Sequence, residues 1–563
     1  MNIYRFLLVS LNIHAILGES TIHRRREQLS KITDGLGLGD AYCTTIKRIK
    51  AQGGGKSRLG IAALMWASHA ERPLTADELC HALAVELGSK DFNAGNVPSI
   101  STVVSCCQGL IRLDKEASVV RLIHFTLKEY LSTHHDIFSN PHAVMAEICL
   151  TYLISNQVKT LSPCPSSNPR ETSFLEYCSQ YWGVHAKKEL SHDAKSLALE
   201  LFQENGGLGH QSTELLVSRA LALDNWHISE YFPFDGLHCA SLFGIVEVVA
   251  ALIGLGHSDL NRGDPLGYTP LPWAAHNGHQ EVVEILLGQE AIDPDNPCHC
   301  GRTPLLRAAS RGHVEVVKLL LMHEDVKPDK TDGLGRTPLS YAAWKGHEGV
   351  VRILLEREEV NRDKPDCRGN TPLLHAALRG AEGVVRILLR REEVDPNRPD
   401  DSGRTPLSCA AQEGHKGLVK MLLRRDDVNP GKPDNHGSTP LPLAAQRGHE
   451  DVVKMLLGRE EVDPESLDHD GETPLACAAV GGSEGVVRIL LEQEGINPDK
   501  PHYAGQTPLS IAAQGGFEGV VQILLGQKEV NPNQADNGGQ TPLQYAANHG
   551  HYGVMELLQH HEW

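Results

Sequence analysis

The sequence lacks the features that mark most membrane proteins and nucleic-acid-binding proteins. It has no apolar run near the roughly 20 residues that a membrane-spanning helix needs. It also has no stretch of lysine and arginine long enough to follow a nucleic-acid backbone, and its formal net charge is −18. We therefore expect neither membrane nor nucleic-acid binding. The 563 residues are too many for one compact core, so several domains are expected.

Motifs for catalysis and nucleotide binding are also missing. Gly-Gly-Gly-Lys-Ser at 53–57 looks like the end of a phosphate-binding loop, but that motif needs glycine at position 50, which is Lys50. Ser57 lies in Gly-Lys-Ser-Arg-Leu, which is not the Gly-x-Ser-x-Gly turn of a lipase nucleophile. We therefore expect no catalytic residue, no cofactor and no enzymatic activity.

The 13 cysteines do not form a recognisable framework for disulfides or metals. Their number is odd and many stand where a small apolar residue belongs, which favours free thiols in a reducing compartment. Cys298, His299 and Cys300 are not followed by a second ligand pair at zinc spacing, so no metal site is expected. We expect a cytoplasmic protein. A secretion signal over 1–18 remains an alternative, although Asn12 and His14 interrupt its apolar stretch.

What the sequence does contain is a long internal repeat. Thr-Pro-Leu recurs every 34 residues, beginning at Thr269, Thr303, Thr337, Thr371, Thr405, Thr439, Thr473, Thr507 and Thr541. A fixed period of this length indicates a stack of small repeated units.

The pattern inside one unit predicts a turn, a helix, a turn and a second helix. Gly335 supplies a turn, Thr337 caps a helix and Pro338 fits the first helical position. Ala-Ala follows, and Gly346 ends the short helix. Val-Val and Ile-Leu-Leu at 350–355 then mark the apolar side of a second helix. One such pair cannot bury its apolar face alone, but a stack can.

Together, Thr-Pro-Leu, Ala-Ala, Gly-His and Val-Val-x-x-Leu-Leu resemble the ankyrin repeat. A degenerate unit at 235–240 lies in register before Thr269, as is typical of a terminal repeat. The resemblance covers about residues 233 to 563. It implies an ankyrin solenoid of about ten helix-turn-helix repeats that binds a partner protein through its concave face.

Positions at and after the end of the first helix line that face in ankyrin stacks, and here they vary from repeat to repeat. Arg311, Trp344 and Arg379 are the strongest anchor candidates, because Trp and Arg dominate binding hot spots. Trp273 and Tyr341 lie earlier in their helices and are expected to pack beneath the anchors. The full candidate set is Trp273, His276, Asn277, Arg311, Tyr341, Trp344, Lys345, Arg379, Glu413 and Arg447. Histidines that recur one repeat apart, such as His313 and His347, are expected to be structural.

Residues 61–140 read as a small α+β domain of the winged-helix type. Helices are predicted over 61–70, over 75–87 behind a capping box at Thr75, and over 99–107. Strands follow over 110–113 and 118–125, and a capping box at Thr126 predicts another helix. The helix over 99–107 carries no Lys or Arg, so a structural role is favoured and a DNA-binding winged helix is the alternative.

A second resemblance covers most of residues 1–230. The segments 63–66, 71–74, 78–83, 120–131 and 175–183 resemble fungal NACHT–ankyrin proteins of the STAND type, whose winged helix is similar to that of GPI inositol-deacylases. Residues 6–13 resemble the tail of their NACHT module. The resemblance implies the sensor arm of a receptor in fungal innate-immunity-like signalling. The alternative is the C-terminal part of a signal-transducing NTPase whose phosphate-binding loop lies upstream.

The predicted fold is mostly α. Residues 1–60 form the tail of a NACHT-like module and a linker, 61–140 the winged-helix domain, 141–232 a helical connector and 233–563 the ankyrin domain.

Overall fold

The structure is a computed structural model that describes residues 21–24, 26, 38–89, 91–114, 116–159, 173–205, 235–256, 259–264 and 266–560. Residues 6–13, which resemble the tail of a NACHT module, lie outside these residues. The chain divides into two compact units, Met1–Ala274 with Glu284–Ile292, and Ala275–Val283 with Asp293–Trp563. Within the described part of the chain, no helix has the length and apolar character needed to cross a bilayer.

The first unit opens with the predicted small α+β arrangement. Its elements are α1 (Leu38–Lys50), α2 (Gly55–His69), α3 (Ala76–Ala84), α4 (Ile100–Cys106), β1 (Ile111–Asp114), β2 (Val119–Leu122) and α5 (Phe125–Thr133). The strands pair antiparallel, with Ile111 opposite Leu122. Leu64, Trp66 and Leu127 are fully buried and hold the helices against the hairpin.

Two helix starts in this region test the capping predictions. The capping box predicted at Thr75 is confirmed. The Thr75 hydroxyl accepts from the Glu78 backbone N–H at 3.2 Å, and the Glu78 carboxylate accepts from the Thr75 N–H at 2.8 Å. The capping box predicted at Thr126 is wrong. Helix α5 begins at Phe125. Its N-cap is His124, two residues before the predicted cap, and the His124 Nδ1 accepts from the Thr126 N–H at 3.3 Å. An imidazole nitrogen accepts a hydrogen bond as a hydroxyl does, so the cap moved to the histidine.

A helical segment follows in the first unit and packs on the first repeat. Its elements are α6 (Pro141–Ile154), α7 (Asn156–Lys159), α8 (Leu175–Lys188) and α9 (His192–Asn205), and the first repeat is α10 (Gly236–Phe243) with α11 (Val246–Gly254). Helices α8 and α9 contact α6 and α10. Gly183 of α8 lies against the Phe243 ring, where a Cβ atom would clash. The helical segment and the first repeat therefore share one core.

Each later repeat contributes a first and a second helix. The first helices are α12 (Pro270–His276), α14 (Pro304–Arg311), α16 (Pro338–Lys345), α18 (Pro372–Leu378), α20 (Pro406–Gln412), α22 (Pro440–Gln446), α24 (Pro474–Val480), α26 (Pro508–Gly515) and α28 (Pro542–His549). The second helices are α13 (Gln280–Leu287), α15 (Val314–Met322), α17 (Glu348–Leu354), α19 (Glu382–Leu388), α21 (Lys416–Leu422), α23 (Glu450–Leu457), α25 (Glu484–Leu491), α27 (Glu518–Leu525) and α29 (Tyr552–Gln559).

The repeat with α16 and α17 shows why the sequence folds this way. The Thr337 hydroxyl accepts from the Ser340 N–H at 3.1 Å, and Pro338 occupies the first helical position, where no N–H is needed. Gly335 and Gly346 have φ of 76° and 78°, a conformation that favours glycine. The predicted turn and helix signals are confirmed.

In the second unit, first helices pack against first helices and second helices pack against second helices. From α14 to α29, each first helix contacts the first helix of the next repeat, and each second helix contacts the next second helix. Ala342 and Ala343 are fully buried between first helices, and Val350 and Leu354 are fully buried on the second helix. Burial of a Val or Leu side chain contributes about 1.5–3 kcal/mol, so each added repeat extends one continuous core. The predicted repeat solenoid is confirmed.

Candidate protein-binding surface

Three successive repeats of the second unit carry a cation at the end of the first helix. Arg311 is the last residue of α14, Lys345 is the last residue of α16 and Arg379 caps the C-terminus of α18. All three stand eight residues after the repeat's Thr. Lys345 and Arg379 are exposed and Arg311 is half-buried. Cations are favourable at a helix C-terminus, where the backbone carbonyls lack partners.

Trp344 lies between two of these cations. The Lys345 Nζ is 4.5 Å from the ring centroid and the Arg379 Cζ is 5.4 Å from it. The half-buried Trp344 ring also meets the Tyr341 ring edge-on, with centroids 6.4 Å apart. Cation–π contacts hold the Lys and Arg side chains over the indole. We call Arg311, Trp344, Lys345 and Arg379 the Trp344 cluster.

The charges of the Trp344 cluster are not neutralised within the described residues. Neither Arg311 nor Lys345 nor Arg379 forms an ion pair there, whereas neighbouring cations of the second unit do. Arg336 pairs with Asp332 at 2.8 Å, Lys364 with Asp329 at 3.2 Å and Arg404 with Asp400 at 2.7 Å. The cluster therefore offers three cationic groups to a ligand, on a chain whose net charge is −18.

His276 positions the first of these cations. Its side chain is buried, and its Nε2 accepts from the Arg311 Nε at 3.1 Å and Nη2 at 2.9 Å. Burial, together with the charges of Arg307 and Arg311, lowers the pKa of His276 to about 2. The imidazole is therefore neutral at pH 7 and can accept from the guanidinium.

Trp273 and Tyr341, two of the candidate residues, lie beneath the surface rather than on it. In the first unit, Trp273 is 1% exposed and its Nε1 donates to an Asp264 carboxylate oxygen at 3.1 Å. In the second unit, Tyr341 is 5% exposed and its hydroxyl donates to Asp332 at 3.1 Å. Both side chains thus support their repeats.

These bonds show a residue that the sequence interpretation missed, an aspartate five residues before the repeat's Thr. Asp332 accepts from the Leu334 and Arg336 backbone N–H groups on Oδ1, each at 2.9 Å, and from Tyr341 on Oδ2. It therefore shapes the turn and fixes a side chain of the first helix. This aspartate recurs with the 34-residue period, and that recurrence is the signal that would have identified it. The recurring residues are Asp264, Asp332, Asp366, Asp400, Asp434, Asp468 and Asp536.

The remaining candidate residues extend the row of helix ends in the second unit. Asn277, Glu413 and Arg447 are all exposed. Glu413 occupies the position of Arg379 in the next repeat, so the run of cations ends there with a change of sign.

The recurring histidines join neighbouring repeats. His347 Nε2 lies 3.2 Å from the Ser310 carbonyl oxygen of the preceding repeat, and His449 Nε2 lies 3.0 Å from the Gln412 oxygen. Because a carbonyl only accepts, the Nε2 atoms are the donors. The structural role predicted for these histidines is confirmed.

Comparisons with known proteins match two family models. The model described as ankyrin repeats (3 copies) matches residues 211–298, 289–366, 358–434, 427–502 and 495–562, more than half of the chain. The model described as GPI inositol-deacylase, winged helix domain, matches residues 47–142. No curated protein matches the chain. Domains of both kinds are generally non-catalytic, and ankyrin repeats generally mediate protein binding.

Proposed function

The chain belongs to the ankyrin-repeat family, and on that premise we propose that it is a non-catalytic scaffold that binds a partner protein through the Trp344 cluster. The observation that carries the proposal is a set of three cations at equivalent helix ends that form no ion pair within the described residues, two of which lie against one accessible indole. Trp and Arg are the residues that most often dominate the energy of protein interfaces. The partner that fits this chemistry is an acidic segment of another protein.

The spacing of the three cations suits a short extended segment of a partner protein. Neighbouring helices pack about 8–10 Å apart, so cations at equivalent positions of three repeats span about 20 Å. An extended chain covers this length in about six residues, at roughly 3.3 Å per residue. Carboxylates on one side of such a segment would meet Arg311, Lys345 and Arg379, and an apolar group would cover Trp344.

The expected energies set the order of importance of these residues. Each exposed ion pair contributes about 0.2–1 kcal/mol and is screened by salt. A buried Trp at the centre of an interface contributes about 2 kcal/mol or more. Affinity is therefore expected to depend mainly on Trp344, whereas the salt dependence is expected to come from the three cations.

Affinity capture with quantitative mass spectrometry tests this proposal. The full chain serves as bait beside two triple variants. One variant is Arg311→Gln, Lys345→Gln and Arg379→Gln. The matched control removes three exposed arginines of second helices, as Arg352→Gln, Arg386→Gln and Arg488→Gln. We expect captured partners to be lost from the first variant and retained by the control. Equal capture by both variants would contradict a role for the cluster.

We also propose that the region before the repeats docks or regulates the scaffold in fungal innate-immunity-like signalling in the cytoplasm. The support is the resemblance of that region to NACHT–ankyrin proteins, together with its winged-helix match. The domain boundaries at residues 60, 140 and 232 belong to this proposal. Limited proteolysis tests them, with first cleavages expected near those residues. Fluorescence imaging tests the location, and an extracellular protein would exclude it.

A further inference from the structure

A cluster of potential metal ligands lies in the first unit, away from the repeat surface. Glu71 follows the end of α2, His142 is in the first turn of α6 and His185 is in the last turn of α8. The Nδ1 atoms of the two histidines are 2.8 Å apart, and the Glu71 Oε1 is 4.0 Å from the His185 Nδ1. One ligand atom from each residue lies within 4.8 Å of the other two.

We propose that Glu71, His142 and His185 bind a divalent zinc-class cation. Two imidazoles and one carboxylate, with a water as the fourth ligand, form a common zinc coordination set. Bonds of about 2.0–2.1 Å in a tetrahedral site place neighbouring ligand atoms about 3.3 Å apart. The distances here lie on both sides of that value, so small side-chain movements bring the three atoms within coordination distance. The 2.8 Å contact is a hydrogen bond that the His142 Nδ1–H donates to the His185 Nδ1, so metal binding also requires the His142 proton to move to Nε2.

Residues around the cluster form hydrogen bonds that orient the proposed ligands, as the hydrogen-bond partners of ligands do in metal sites. The Tyr177 hydroxyl lies 2.9 Å from the His185 Nε2 and accepts from the Glu71 backbone N–H at 3.1 Å. With the proton on Nε2 donated to Tyr177, the Nδ1 lone pair of His185 points to the cluster. The Glu189 carboxylate accepts from the His142 backbone N–H at 2.9 Å and fixes the start of α6. Outer partners of this kind hold the ligand tautomer and ring orientation.

One neighbour opposes a bound cation, and it makes the proposal testable. The Lys188 ammonium bonds the Glu71 carboxylate at 2.5 Å and carries a like charge to the proposed ion. Its side chain is 46% exposed, so it can turn to solvent when a cation takes its place. Lys188 therefore competes with the metal for Glu71. A merely structural histidine pair has no such competition.

A bound ion would connect the end of α2 to α6 and α8. These elements belong to the winged-helix region and to the helical segment that packs on the first repeat. Because a ligand that binds only the folded state stabilises it by mass action, zinc is expected to raise the melting temperature of the first unit.

The test is zinc binding to the full chain, measured by competition with a chromophoric chelator, with Co²⁺ absorption as a probe of tetrahedral geometry. Glu71→Gln and His142→Gln are expected to lower the affinity at least tenfold, and Lys188→Gln to raise it severalfold. Matched substitutions at exposed positions, Glu129→Gln, His135→Gln and Lys47→Gln, are expected to change nothing. Binding to histidines other than His135, His142 and His185 would be insensitive to all six variants.

Zinc affinity unchanged in Glu71→Gln and His142→Gln would overturn the proposal. So would a Lys188→Gln variant that binds no more tightly than the native chain. The half-exposed Lys188 keeps the test decisive if either ligand variant fails to fold.

Discussion

Replacing the capping threonine of a first helix provides a sharp test, because another repeat of the same chain supplies the control. Thr371 is fully buried and its hydroxyl accepts from the Leu374 backbone N–H at 3.2 Å. Thr439 occupies the equivalent position but caps nothing, since the residue three positions on is Pro442, which has no N–H. Thr→Val removes the hydroxyl and keeps a similar volume at both sites.

The structure sets the expected magnitudes. Thr371→Val leaves the Leu374 N–H without its acceptor, and loss of such a cap costs about 1 kcal/mol, within a range of about 0.5–2. Thr439→Val leaves no backbone N–H of the helix without an acceptor. It loses only a 3.3 Å contact with the Ser466 hydroxyl, so its effect is expected to be near zero. The difference of about 1 kcal/mol corresponds to about a fivefold change in a local opening equilibrium.

Native-state hydrogen exchange of the full chain measures both sites under the same conditions. Amide protection over 371–378 is expected to fall about fivefold in Thr371→Val. Protection over 439–446 is expected to stay within the experimental error in Thr439→Val. Urea unfolding supplies a second readout, with the lower midpoint expected for Thr371→Val. Equal losses in the two variants would refute the assignment of the cap bond.

Three further predictions follow from the repeat surface. The pKa of His276 is about 2 in the folded chain and about 6.5 in the unfolded chain, so its contribution to stability is present above pH 6.5 and is lost as the pH falls. Between pH 7 and 5 the native chain should lose about 2 kcal/mol more than His276→Gln, measured by urea unfolding. Asp332→Ala should destabilise the chain by about 2 kcal/mol more than Asp434→Ala, also by urea unfolding, because Asp332 additionally holds Tyr341 whereas the equivalent neighbour of Asp434 is Leu443. Trp344→Ala should weaken partner binding about 30-fold in titration calorimetry, against less than about fivefold for the exposed Arg447→Gln.

The repeat architecture could be predicted because its signals are local and recur. Thr337, Pro338 and Gly346 act on their own helix, so the sequence alone defines where that helix begins and ends. The same chemistry explains the Thr126 error, because a histidine two residues earlier offered an equivalent acceptor. Local signals therefore predict elements well and the choice between adjacent caps less well.

The contacts of the candidate residues were harder to predict. The sequence places Tyr341 beneath the anchors by its position in the helix, but it does not show what the side chains contact. The Tyr341 hydroxyl donates to the buried Asp332, and the Trp344 ring lies between two cations. The Glu71, His142 and His185 cluster was missed for another reason. Its members are separated by 71 and 43 residues and meet only through the packing of three elements.

Site-specific photo-crosslinking tests the central claim most directly. A photoreactive amino acid is placed at Lys345 of the Trp344 cluster or, as the control, at Arg386 on the exposed side of a second helix. After irradiation with captured partner, the account predicts cross-links from position 345 to an acidic segment of the partner and none from position 386. Cross-links from position 386 alone, or equal yields from both positions, would contradict binding through the Trp344 cluster.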